Sequence, residues 1–188
     1  MATTATQAQT KLEERLHDIS DVPDDTFLSW CDYLNKEAYR RLTQADPERF
    51  MSGTNYTVTT SPSTQALPAD FRDIQAIGSG FLQLDSTGNY VDLTLPRTGY
   101  GSRSNGFWIS GTNVVFTGLQ GSYTIRLRYI PTVATMDGFN DTFSIPDEYM
   151  SYILEALVKL YFMWDEEPGS ESLADQRFAN YLDELFST

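Results

Sequence analysis

The feature that most constrains this chain is a change of hydrophobic period that occurs twice. Near the start, apolar residues recur at helical spacing. Leu12, Leu16 and Ile19 share one face, followed by a stripe of Phe27, Trp30, Cys31, Leu34, Ala38 and Leu42. From Ser52 the period drops to two. Tyr56 and Val58 alternate with Thr57 and Thr59, Val91, Leu93 and Leu95 with Asp92 and Thr94, and Tyr123, Ile125, Leu127 and Tyr129 with Thr124, Arg126 and Arg128. At Pro146-Asp147-Glu148 the helical period returns, with Met150, Ile153, Leu157, Leu160, Tyr161 and Trp164 on one face. A last helical pattern holds Ala174, Phe178, Tyr181, Leu182, Leu185 and Phe186.

A chain cannot keep both periods in one element, so the pattern predicts an α+β protein of three segments. Residues 1–51 form an N-terminal helix pair, about Lys11 to Ile19 and then from Pro23 to Pro47. Residues 52–144 form an inserted antiparallel β-sandwich or barrel-like unit of six or seven strands. Residues 145–188 form a C-terminal helix pair. Each pair alone buries too little apolar surface, so the two are expected to pack together as a helical bundle. Turn signals at Gly88-Asn89, Gly111-Thr112-Asn113 and Gly121-Ser122 divide the strands. Residues 97–106 show no periodicity and read as a mobile loop tip.

Helix 147–164 is apolar nearly all round. Tyr149, Tyr152, Leu154 and Met163 lie away from its main face, which points to packing against a neighbouring subunit. Phe178, Tyr181, Leu182, Leu185 and Phe186 read as anchors for another chain.

Catalytic chemistry finds little footing. His17 is the single histidine, on a polar helix and without a nucleophile motif around it, so it reads as a solvated side chain. Cys31, the one cysteine, sits on an apolar stripe and excludes a disulfide framework. The acids at Asp24-Asp25 are explained by a helix start and those at Asp165-Glu166-Glu167 by solvation. Asp137, Asn140 and Asp141 lack the residue order of a calcium loop. No catalytic residue, cofactor or metal is expected. The N-terminus lacks a basic segment followed by an apolar run, so no secretory signal is read there, and no window is apolar enough to span a bilayer. The expectation is a cytosolic or particle-borne chain.

The net charge is −13, and residues 145–188 carry 10 acidic against 2 basic side chains. Such a chain has no general attraction for phosphate backbones. Arg97, Arg103, Arg126 and Arg128 with Tyr100, Phe107 and Trp108 offer a minor basic and aromatic grouping, read first as an exposed sheet face.

Three stretches carry a resemblance: LPADFRDI at 67–74 entering the β segment, RLRYIP at 126–131 leaving it, and IPDEYMSYILEALVKLYFMW at 145–164. In these and in its layout the chain resembles the head-to-tail adaptor (connector) proteins of tailed bacteriophages, including the kind called tail tubular protein A. The resemblance implies a homo-oligomeric ring, typically twelvefold, beneath the portal protein at the virion neck, assembled in the host cytoplasm. DNA would pass through its lumen without specific binding, in retention and in ejection. It further implies that the C-terminal segment around Phe178, Tyr181, Leu182, Leu185 and Phe186 docks into the portal. The loop with Arg97, Tyr100 and Arg103 would face tail or nozzle proteins. An acidic wall that does not grip a polyanion suits such a conduit. The alternative is an oligomeric tail accessory whose β-sandwich binds carbohydrate on a platform of Tyr100, Phe107 and Trp108.

Overall fold

The computed structural model describes residues 2–16, 19–59, 62–74, 81–100, 104–119 and 121–166. It is mixed α and antiparallel β, and it divides into two compact units, Met1–Ala45 with Val133–Thr188, and Asp46–Thr132. Residues 133–144, read from sequence as the end of the β segment, belong to the first, helical unit.

In the helical unit, α1 (Ala5–Leu16), α2 (Asp24–Ala45) and α3 (Met150–Glu166) are the described helices, and α3 packs against both others. The first of them starts six residues earlier than the apolar spacing indicates, because its N-terminus is capped. Thr4 Oγ1 accepts the Gln7 N–H at 3.2 Å, and Gln7 Oε1 accepts the Thr4 N–H at 3.0 Å, a reciprocal capping box. The remaining donors of the first turn also find acceptors. Ala5 N–H donates to Asp141 O, Thr6 N–H to Phe139 O, and Ala8 N–H to Thr4 O. With Phe143 N–H donating to Thr3 O and a bridge between Thr4 and Thr142, the N-terminal residues are strapped to the segment that precedes α3.

On α2 the acids Asp24 and Asp25 occupy the first turn, where the macrodipole favours them. Of the expected stripe, Phe27, Cys31, Leu34, Ala38 and Leu42 are buried, while Trp30 is half-buried. Asn35 is buried beside it, and Asp32, Lys36, Glu37, Arg40 and Arg41 pair along the outer surface of the helix. The helical pattern at 174–186 lies outside the described residues.

The β unit holds two sheets. One has the order β1 (Ser52–Val58), β8 (Tyr123–Pro131), β4 (Phe81–Leu84), β5 (Tyr90–Asp92), with β3 (Phe71–Asp73) also paired to β8. The other has the order β2 (Ser63–Ala66), β7 (Asn113–Thr117), β6 (Gly106–Ser110). Period-two alternation sends Ile125, Leu127 and Tyr129 of β8 and Val114 and Phe116 of β7 into one shared core, with Phe81 and Phe107 meeting edge to face at 4.7 Å. Val91 departs from its expected alternation: it is exposed, since β5 is a three-residue edge strand that ends at Asp92.

The stretch after Pro96 is not a free loop tip at its beginning. Thr98 N–H donates to Phe107 O and Phe107 N–H to Pro96 O, so residues 96–98 run along the edge of β6, with Arg97 bridged to Phe107. Gly106 permits this approach, since a Cβ there would stand 2.5 Å from Pro96 O.

Candidate interaction surfaces

The groups that could carry chemistry are occupied by the fold. Cys31 is fully buried, and desolvation pushes its thiol pKa up to about 12, far from a reactive thiolate. Asp141 Oδ2 accepts the N–H groups of Gly138 and Asp137, which hold its carboxyl below the usual range. The Asp137–Asp141 segment is therefore a backbone turn closed by its own acid. Asp85 does the same in the β4–β5 turn: Oδ1 accepts from the Thr87 hydroxyl at 2.7 Å and from the Thr87 and Asn89 N–H groups, and its pKa is lowered. No group of three metal-ligating side chains occurs among the described residues, and no described helix is long and apolar enough to cross a membrane. His17 lies outside the described residues.

Surfaces are more informative than sites. On the helical unit, Met150, Ile153, Ala156 and Leu157 of α3 are buried, and so is Leu154, 6% exposed, which places it in the unit's own core. Tyr152 is 36% exposed beside Tyr149, with ring centroids 6.4 Å apart, and Met163 is half-buried. The last turns of α3 carry an aromatic surface. Phe162 is 45% exposed, Tyr161 contacts both Phe162 and Trp164, and Trp164 meets Trp30 of α2 edge to face at 6.4 Å. Phe162 is the exposed member of this group, while Tyr161 and Trp164 are half-buried.

On the β unit the arginines and the exposed aromatics separate. Arg126 lies over the Tyr90 ring at 5.4 Å, and Arg128 Nη2 is 3.6 Å from Asp92 Oδ1, both on the β1-β8-β4-β5 sheet. Tyr100 and Trp108 meet on the other sheet, centroids 6.0 Å apart. Arg126 and Arg128 therefore do not share a patch with Tyr100 and Trp108, whereas Arg97 lies on the β6 edge. Phe107 leaves the proposed aromatic platform as well: it is 6% exposed and belongs to the core, because β6 alternates Phe107 inward and Trp108 outward. Arg97 and Tyr100 are exposed, whereas Arg103 is outside the described residues, as are Phe178, Tyr181, Leu182, Leu185 and Phe186.

The family model of the SU10 adaptor protein matches residues 3–188. The chain belongs to the SU10 adaptor protein family. The match spans both units, so the helices and the β segment are parts of one adaptor rather than a stalk with an unrelated module. An SU10 adaptor is a structural protein of the bacteriophage particle, acting at the neck through contacts with other head and tail proteins. No curated protein matches the chain.

Two structural features lie outside the periodic patterns, and only one of them has a sequence signal. Asn35 is a polar residue next to an apolar stripe, and nothing local distinguishes it from an exposed one. Thr4-Ala5-Thr6-Gln7 does carry a legible signal, the Thr-x-x-Gln capping pattern.

Proposed function

We propose that the chain is the subunit of a head-to-tail adaptor ring that joins the portal to the tail and forms part of the DNA channel used in genome retention and ejection. The observation that carries this reading is the family match from residue 3 to 188. Support comes from the partly exposed aromatics on α3, which a neighbouring subunit would cover. Tyr149, Tyr152 and Met163 are the packing residues proposed for that contact. Phe178, Tyr181, Leu182, Leu185 and Phe186 are proposed to dock into the portal, and Arg97, Tyr100 and Arg103 to face tail or nozzle proteins. The N- and C-terminal helices would form one bundle lining the ring, twelvefold like the portal-associated adaptors it resembles. Acidity, −13 per chain, suits a channel wall past which DNA slides, because twelve such subunits offer a polyanion no net attraction.

The experiment is a pull-down of the protein by its portal ring, with the intact chain and with residues 179–188 deleted. Retention of the intact chain and loss of the truncated one supports portal docking by the C-terminal segment. Equal retention of both removes that segment from the contact.

A further inference from the structure

The outer face of the β2-β7-β6 sheet carries a hollow beside Tyr100. Register places Thr64, Val115 and Trp108 in one cross-strand row, with Asn113 and Ser110 paired in the next. Tyr100 stands over this face, 93% exposed, its ring inclined at 70° to the Trp108 indole. Sheet and ring border an open hollow of about 420 Å³, within the range of roughly 300–1,000 Å³ found for small-ligand sites.

The chemistry of the lining selects a ligand class. Two aromatic rings meeting at a corner, with Val115 and Pro62, offer apolar faces. Thr64, Ser110 and Asn113 offer hydroxyl and amide groups that both donate and accept. No charged side chain lines the hollow among the described residues. A phosphate-bearing ligand would therefore meet no counter-charge on a protein of net charge −13. A wholly apolar ligand would strip water from three polar groups without replacing it. On the β6 side an added peptide strand finds no free edge, since residues 96–98 already take it. A ligand with apolar C–H faces and a rim of hydroxyls matches this lining of aromatic faces and neutral polar groups.

We infer that the Tyr100–Trp108 hollow is a binding site for a neutral saccharide, one or two sugar rings held against the aromatic corner and hydrogen-bonded by Thr64, Ser110 and Asn113. Phe107, inside the core, takes no part. The site is a property of the β unit and does not depend on ring assembly.

The test is saturation-transfer NMR on the intact chain with glucose, galactose, mannose, N-acetylglucosamine and their disaccharides at millimolar concentration. The Trp108 indole N–H resonance, assigned with Trp108→Phe, is followed in parallel. At least one sugar is expected to show transfer and to move that resonance. Tyr100→Ala is expected to weaken binding roughly tenfold, the scale of one lost aromatic contact, with an unchanged melting midpoint because the ring is almost wholly in water. The inference is overturned if no sugar in the panel binds, or if binding survives Tyr100→Ala and leaves the Trp108 indole unmoved. It is equally overturned if a proline-rich peptide perturbs the indole and the sugars do not, since the hollow would then be a protein contact.

Discussion

Asn35, wholly buried on α2, accepts the backbone N–H of Ser144 at 2.7 Å and donates through Nδ2 to Ala134 O at 3.2 Å. One side chain thereby satisfies both ends of the segment that leads into α3. Asp32, one turn earlier, adds the Met136 N–H at 3.0 Å. A segment without regular secondary structure is thus hydrogen-bonded from the helix it crosses, which its own sequence cannot provide.

Replacing Asn35 by Ala would remove the partner of the half-buried Ser144 N–H and of the Ala134 carbonyl. The expected cost is about 1–2 kcal/mol, read as a fall in the denaturant midpoint of the isolated chain. A stability unchanged within error would mean that water replaces the amide and that Asn35 does not hold the segment.

The capping box makes a smaller claim. Thr4→Ala removes the acceptor for the Gln7 N–H and should cost about 1 kcal/mol, with helicity lost first at α1. Thr4→Ser keeps the hydroxyl and should restore most of the difference.

Gly106 and Gly99 form a matched pair. A Cβ at Gly106 meets Pro96 O, whereas one at Gly99 meets open space. Gly106→Ala should destabilise by about 1–3 kcal/mol and expose the Thr98 and Phe107 amides to hydrogen exchange. Gly99→Ala should be close to neutral. Equal effects would show that residues 96–98 are not held on the edge of β6.

Acid should loosen the turns closed by Asp85 and Asp141. Backbone and hydroxyl donors lower both pKa values in the folded state, so their contribution is present above the unfolded value of about 4 and is lost as pH falls through the folded one. The melting midpoint should drop below about pH 4. Asp141→Asn, which keeps an acceptor but does not titrate, should begin lower and fall less over the same window.

How much of this was legible depends on whether a signal is periodic. The β8 residues Ile125, Leu127 and Tyr129 face the core as their alternation predicts, and the Phe27 to Leu42 stripe of α2 is buried as its spacing predicts. Phe107 and Trp108 are adjacent, and either could face inward until the strand's register is known; the pairing of Phe107 with Phe116 settles it. The Arg97–Phe107 bridge was invisible for a similar reason, since three residues without alternation give no strand signal. Leu154 read as a residue for a neighbour because it lies off the main face of α3, but the faces of this helix buried by α1 and α2 are broader than one stripe. The surfaces that make an adaptor, by contrast, are defined by partner chains, which leave no periodic signal in this sequence.

The central claim is that the chain assembles with its portal. Light-scattering mass should be measured on the purified protein alone and then with the portal ring. An adaptor subunit gives either a large symmetric assembly by itself, or a monomer that joins the portal in a complex of one fixed mass. A monomer or trimer whose mass is indifferent to the portal would contradict it.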